Sequence, residues 1–508
     1  MNKNRRFMLG AAAALMGLSM LARRSQAATG PALSADERAL HALNRLGYGP
    51  RPSDAAAIAE QGAEKWLDRF LSEQLEPRRL AQPAALSERL AGLEVLTLSQ
   101  GELLGRYREA VKATREARRE QAKGETPSAE SMKALNAVRE KVRPLVQQAA
   151  TARLARGLQS PAQLEEVLTE FWFNHFNVFA GKGPVGVLVA DYEQRAIRPH
   201  VLGRFRDMLG ATARHPAMLV YLDNAQSVAP GFTPRRAAAN PQRASGLNEN
   251  YARELMELHT LGVDGGYTQR DVTELARMLT GWGIDQRQAA GDVFAFDARK
   301  HDSGGKTWLG QPVRGAGQAE GERALDVLAA HPATARNLAR KFAQAFVADV
   351  PPPALVQKLA DNFTASGGDL RELTRTLIRA DEFWSLEAYQ AKFKTPYQYL
   401  LSSMRALDLP LVNPQPLQQA LAQAGQPLFG AATPDGYKNT AAAWRNPEAL
   451  TQRVQLATTL GQRSGVSAER LGITLGASVS EPTRRTLASE PAGQQVALML
   501  ASPDFMKR

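Results

Sequence analysis

The chain has 508 residues and a formal net charge of +12, with 63 lysines and arginines against 51 aspartates and glutamates. It contains no cysteine, which excludes disulfides, thiolate zinc sites, cysteine-ligated iron–sulfur clusters and covalently attached haem. No basic stripe, zinc finger or aromatic stacking motif accompanies the positive charge, so the composition does not favour nucleic acid as a partner. The cofactor is unknown from sequence, and a metal would need histidine and carboxylate ligands.

The N-terminus has the pattern of an export signal. Arg5 and Arg6 precede an uncharged stretch at residues 8–21, and the small residues Ser25 and Ala27 frame a cleavage step. The stretch of about 14 residues is shorter than the roughly 20 that a membrane-spanning helix needs. The paired arginines favour the twin-arginine pathway, which predicts a periplasmic or secreted protein without a transmembrane anchor.

Helix signals and loops divide the chain into five parts. We assign 1–27 to a twin-arginine-type signal peptide, 28–98 to an N-terminal helical segment, 99–158 to a charged helical hairpin, 159–330 to a central motif-bearing region and 331–508 to a C-terminal helical region. Residues 28–508 are expected to form one domain. Ser34 and Glu37 have the spacing of a capping box and predict the start of the first helix.

Only one segment of the chain favours β-strands. Residues 293–297 and 307–313 flank a polar, glycine-containing stretch at 301–306, and this pattern predicts a β-hairpin. Helical periodicity dominates elsewhere. The predicted fold class is therefore mainly α, a large multi-helix domain with one small β-hairpin insertion.

Two short clusters combine polar groups with apolar neighbours. Asn174 and His175 lie among the aromatic residues of 171–176, which predicts a partly buried imidazole able to act as base, hydrogen-bond donor or metal ligand. The alternative is a core histidine satisfied by a backbone carbonyl. Asp223 follows an apolar helix; it either ends that helix or orients an imidazole or binds a cation.

A third cluster lies on the helix predicted after residue 248. Glu254 and Glu257 share one side of this helix, whereas His259 lies roughly 140° round the axis from Glu254. That angle argues against one metal ion bound by both Glu254 and His259. The two carboxylates remain candidates for a site shared with His175, and solvated carboxylates paired with Arg253 are the alternative.

The fourth cluster is the predicted hairpin tip, where His301, Asp302 and Lys306 lie within six residues. Residues 304–307 look like the end of a phosphate-binding loop, but Lys300 replaces the required upstream glycine. A plain polar turn is the alternative for this tip. The chain also lacks the sequence motifs of zinc metalloproteases, α/β-hydrolases and dinucleotide-binding enzymes.

Together these segments resemble the large bacterial family catalogued as domain of unknown function 1800. The resemblance is carried by residues 43–50, 171–176, 215–224, 248–283, 301–306, 331–335, 392–396 and 501–505. It implies a mostly helical exported bacterial protein. Such proteins are often encoded beside an exported protein that resembles alkaline-phosphatase-type enzymes, which is therefore an expected partner. The resemblance implies no reaction.

Two functions of different classes follow. The first is an enzyme whose site gathers Asn174, His175, Asp223, Glu254 and His259, with His301 and Asp302 covering the cleft. In this hypothesis His175 or Glu254 is the general base, and Arg253 or Lys306 stabilises an anion. The alternative is a non-catalytic partner that binds or matures a co-exported envelope protein.

Overall fold

The computed structural model of the chain describes residues 32–122, 128–232, 246–285 and 287–508. The predicted export signal, residues 1–27, lies outside the described residues. The structure is 64% helical, with 23 α-helices and two small antiparallel two-stranded sheets in the described parts. This confirms the predicted mainly-α fold class.

The first third of the chain forms six helices. They are α1 (Ala35–Arg45), α2 (Pro52–Gln61), α3 (Ala63–Gln74), α4 (Ala84–Ala91), α5 (Gln100–Ala122) and α6 (Ala129–Gln159). The Ser34 hydroxyl accepts from the Glu37 backbone amide and the Glu37 side chain accepts in return, so the predicted capping box is confirmed. Helices α5 and α6, which cover most of the segment 99–158, pack against each other.

Six helices follow in the central region. They are α7 (Gln163–His175), α8 (Val185–Asp191), α9 (Phe205–Arg214), α10 (Pro216–Tyr221), α11 (Asn250–Glu254) and α12 (Gln269–Met278). Two of them continue into π-helical turns, α8 through Tyr192–Ile197 and α11 through Leu255–His259. Such turns are rare and often occur at functional sites.

The C-terminal part contains the remaining helices. They are α13 (Gln318–Ala330), α14 (Pro332–Phe346), α15 (Pro353–Ala365), α16 (Leu370–Arg379), α17 (Pro396–Ala406), α18 (Gln415–Gln423), α19 (Ala441–Trp444), α20 (Pro447–Ser464), α21 (Ala468–Leu475), α22 (Glu481–Ala488) and α23 (Ala492–Leu500). Helices α14 and α15 pack against each other, as do α20 and α23.

The strand pairing differs from the prediction. Strand β1 (Trp282–Ile284) pairs with β2 (Phe294–Phe296), and β3 (Lys306–Trp308) pairs with β4 (Gln311–Val313). The expected pairing of 293–297 with 307–313 is therefore wrong. The tight turn lies instead at Leu309 and Gly310, whose φ angles of 47° and 74° are the positive values that a two-residue hairpin turn requires.

One hydrophobic core cluster draws on every region from Ala39 to Met506. Helix α7 lies inside it, and its Trp172 packs on Phe176 and Phe205 at ring distances of 6.3 and 5.9 Å. Several polar side chains of α7 are buried in this core, namely Gln163, Glu166, Thr169 and His175. No helix in the described parts of the chain is long and apolar enough to cross a membrane.

Two histidines begin helices in the same way. His215 precedes Pro216, and its Nδ1 accepts from the Ala217 amide at 3.1 Å, while His331 accepts from the Ala333 amide at 3.1 Å. Proline suits the first helical position because its missing N–H would have no helical partner there. The repeated His-Pro-Ala sequence is therefore a helix start, in which the imidazole replaces the usual Ser or Asp cap.

Candidate functional site

A cavity of about 70 Å³ lies beneath the loop formed by residues 427–439. Its walls come mainly from α7, α14, α17 and this loop. The aromatic residues that line it are Phe171, Phe173, Phe346, Tyr397, Phe429 and Tyr437. The polar and charged residues that line it are Arg153, Glu170, Asn174, Asn177, Gln398, Gln426, Lys438 and Arg508. Apolar walls with a few convergent polar groups are the usual composition of a small-molecule site.

Glu170 is the carboxyl group of this cavity. It keeps some exposed surface as part of the cavity lining, although it lies deep in the protein. Burial raises the pKa of Glu170, although hydrogen bonds from the Tyr48 hydroxyl at 3.1 Å and the Gln398 amide at 3.4 Å favour its charged form. The desolvation effect is the larger one, so the pKa of Glu170 is raised and its carboxyl is a candidate proton donor or acceptor.

Two arginines line the same cavity but differ in their partners. Arg153 lies between the rings of Phe173 and Phe429, at 4.2 Å from each, and its Nε donates to Glu193 at 2.7 Å. Arg508 donates through Nη2 to the Ala345 carbonyl at 3.0 Å. Its Nε and Nη1 atoms have no hydrogen-bond partner within the described ranges.

Side chains from two other helices hold the loop over the cavity. The Asn174 amide donates to the Tyr437 carbonyl at 2.8 Å and accepts from the Tyr437 amide at 2.7 Å. Asn177 donates to two further loop carbonyls, and the Tyr221 hydroxyl donates to a third at 2.8 Å. Gly436 permits this approach, because a Cβ there would lie 2.5 Å from Asn174 atoms.

The two histidines expected at the site contact each other behind Asn174. His175 donates through Nε2 to the His259 carbonyl at 3.1 Å, which is the core-histidine arrangement that the sequence left open. Burial lowers the pKa of both rings, that of His259 to about 3, so both are neutral at pH 7. The Nε2 of His259 has no partner among the described residues.

The carboxylates expected beside them lie further out. Asp223, at φ 61°, ends its helix and pairs with Lys182 at 2.8 Å. Glu254 is half-buried, and burial followed by repulsion from Glu257 raises its pKa. Arg253 pairs with Glu249, which precedes α11, and with Gln269 of α12, and it does not line the cavity.

The third group of expected residues forms a separate cluster at the β3 end. His301 and Lys306 contact Glu320, at 3.3 and 2.8 Å, and Asp302 pairs with Arg277 at 2.7 Å. No hydrogen bond, ion pair or ring contact in the described chain joins this cluster to Asn174, His175 or His259. The structure thus joins His175 to His259, places Asn174 at the cavity, and leaves His301, Asp302 and Lys306 in a separate cluster.

A further buried pair resembles a catalytic dyad but has no free nitrogen. His215 Nε2 lies 2.8 Å from Asp191, which also binds Gln100 at 2.9 Å. Since the other ring nitrogen of His215 caps helix α10, both nitrogens are occupied. In the described ranges no three histidine, aspartate or glutamate side chains lie close enough to hold a metal ion.

The sequence interpretation missed most of the cavity residues. Glu170 lies in the aromatic segment that drew attention to Asn174, and its carboxyl inside that segment was a usable signal. For the two arginines the sequence carried no comparable signal. Arg153 lies in a charge-rich helix, and Arg508 is 338 positions from Glu170. Only the packing of α7 against the C-terminal residues places them together.

Comparison with protein-family models identifies the family of the chain. The family described as "Protein of unknown function (DUF1800)" matches residues 41–507. The chain therefore belongs to the DUF1800 family. Comparison with curated proteins and with solved structures gave no match.

Proposed function

We propose that this protein is an exported bacterial enzyme that performs acid–base chemistry on a small polar molecule in the cavity beneath residues 427–439. The observation that supports it most is Glu170, a carboxyl with a raised pKa among aromatic walls. Catalytic carboxyls are commonly tuned in this way. Export rests on the signal pattern of residues 1–27.

In this proposal Glu170 transfers a proton to or from the bound molecule. The Tyr48 hydroxyl and Gln398 amide keep the carboxyl in one orientation, as their hydrogen bonds to it indicate. Asn174 holds the loop closed, which limits the access of water to the reacting atoms. His175 and His259 support the wall behind Asn174 as neutral rings.

The test compares Glu170→Gln with Glu165→Gln. The pKa of Glu165 is also raised, first by burial, and it lies on the same helix, but it pairs with Arg198 at 3.5 Å outside the cavity. The full-length protein is incubated with pools of small polar metabolites, and turnover is followed by NMR. We expect Glu170→Gln to lower turnover by at least about 100-fold, the usual contribution of a general acid or base.

Equal loss of turnover in both variants would contradict a special role for Glu170. Wild-type protein that turns over nothing in any pool would favour the second candidate. Thermal unfolding of both variants serves as the control for folding, because a glutamine at either position keeps nearly the same volume.

A second candidate is a non-catalytic partner of a co-exported envelope protein, such as the alkaline-phosphatase-like neighbour that the resemblance implies. The outer half of the α5–α6 hairpin supports it, because its buried contacts are limited to a small separate cluster of Ala113, Ala117, Leu135 and Val138. Co-purification from the exported fraction is the test. We expect a stoichiometric partner to co-purify with the wild-type protein and to be lost when the outer half of the hairpin is shortened. A protein that runs as a monomer in size exclusion would contradict this second candidate.

A further inference from the structure

Three buried arginines near the cavity have incomplete hydrogen bonding. Arg45, Arg453 and Arg508 are exposed by only 0, 1 and 4%. Each donates through Nη2 to a single backbone carbonyl, and the Nε and Nη1 atoms of all three have no partner among the described residues. A guanidinium has five N–H donors and keeps its proton, so these groups are both charged and under-satisfied.

Among the described residues, Glu170 and Asp349 are the carboxylates whose charges act on Arg508. Asp349 already pairs with the buried Lys392. Glu170 is the acid that most strongly attracts the charge of Arg508. Burial raises the pKa of Glu170 and the charge of Arg508 lowers it, so the two groups oppose each other's desolvation.

Of the three arginines, only Arg508 lines the cavity. Arg453 instead lies over the rings of Phe393 and Tyr399, at 4.6 and 5.0 Å. These cation–π contacts replace part of its missing hydrogen bonding. The Arg508 backbone is paired in both directions with Lys392, at 2.8 and 3.3 Å, and this pairing fixes where the side chain enters.

We infer that the cavity binds its ligand through an anionic group, a carboxylate or a phosphate, placed against the Arg508 guanidinium that lines it. This inference rests on the proposed function, since it names the substrate class of the same site. An anion there compensates the buried charge. Arg153 does not compete for that anion, because Glu193 already neutralises it.

The test uses the full chain with inorganic phosphate and, separately, acetate, by isothermal titration and thermal unfolding against chloride at equal ionic strength. We expect one of the two anions to bind and to raise the unfolding midpoint. Arg508→Met should weaken that binding at least about 30-fold, as loss of a buried charged partner does. Arg453→Met, which also removes a buried and under-satisfied guanidinium, is the matched control and should retain binding.

The unfolding midpoint without anion gives a second measurement. Since removing an uncompensated buried charge is neutral or stabilising, Arg508→Met should unfold at the wild-type midpoint or above it. A lower midpoint with unchanged anion binding would mean that Arg508 is only structural. Phosphate binding alone indicates a phosphate ligand, and acetate binding alone a carboxylate. Failure of wild type to bind either anion would overturn the inference.

Glu170→Gln separates this inference from the proposed enzyme function. That variant keeps Arg508 and removes the carboxyl that shares its charge, so it should bind the anion at least as tightly as wild type. If Glu170→Gln binds the anion and also turns over substrate at the wild-type rate, the anion site is supported. The proposal that Glu170 acts as an acid or base is then contradicted.

Discussion

The two polar regions of the molecule differ in how their buried charges are compensated. In the cluster at the β3 end, Lys306 and Glu320 are exposed by 5 and 0% and are 2.8 Å apart, and Asp302 is matched by Arg277. At the cavity, Arg508 has two guanidinium nitrogens without a partner among the described residues, and Glu170 has a raised pKa. A cluster whose buried charges are matched stabilises the fold, whereas an unmatched buried charge is suited to a ligand.

The largest effect is expected at the paired cluster. Glu320→Gln would leave the Lys306 ammonium buried without its counter-charge, and this should lower the free energy of unfolding by about 3 to 5 kcal/mol. Denaturant unfolding measures it. The double variant Glu320→Leu with Lys306→Met should recover most of the loss, because neither charge remains. A double variant as unstable as Glu320→Gln would contradict the view that charge pairing stabilises this cluster.

The loop over the cavity should respond less strongly. Asn174→Ala removes both hydrogen bonds to the Tyr437 backbone, and at about 1 to 1.5 kcal/mol each the free energy of unfolding should fall by about 2 to 3 kcal/mol. Hydrogen exchange should increase in residues 427–441 and not in the 301–306 segment. Uniform exchange in both segments would show that Asn174 does not act on the loop.

The histidines behind the cavity predict a dependence on pH. The pKa of His259 is lowered to about 3 by burial, against about 6.5 when unfolded, so the unfolded state binds more protons between these values. The stability that the neutral ring contributes is complete above pH 6.5 and decreases as the pH falls towards 3. From pH 7 to 5 we expect a loss of about 2 kcal/mol for this histidine, measured by unfolding at both pH values.

His259→Gln should make the free energy of unfolding depend less steeply on pH. His200→Gln is the control, because His200 is less deeply buried and its replacement should change this slope less. Identical slopes in wild type and His259→Gln would contradict the assignment of a neutral buried ring.

The smallest effect is expected at an exposed ion pair next to the paired cluster. Arg299 pairs with Asp297 at 2.9 Å, but its side chain is 82% exposed. Arg299→Ala should leave the unfolding midpoint unchanged, because water and salt screen such pairs. A loss comparable to that of Glu320→Gln would show that ion-pair distance, and not burial, decides stability here.

Local patterns predicted some elements well. The capping box of Ser34 and Glu37 and the two charged helices of residues 99–158 were predicted because capping and helix periodicity depend on neighbouring residues. The strand pairing was predicted wrongly, since the turn at Leu309 and Gly310 requires a positive φ at a leucine, which a sequence rarely signals. Asn174 and His175 were rightly expected near the interior, but their partners lie 263 and 84 positions away.

The amino-acid sequence alone determined the helical class, the family and the absence of any thiol chemistry, since each depends on composition or on spacing within a short window. It also carries the export pattern of residues 1–27, which remains a prediction. Only the tertiary structure decided which polar groups meet: Glu170 and Arg508 at a cavity, His301 with Glu320 elsewhere. Such meetings depend on long-range packing and on which buried charges find partners, and neither is encoded in a local pattern.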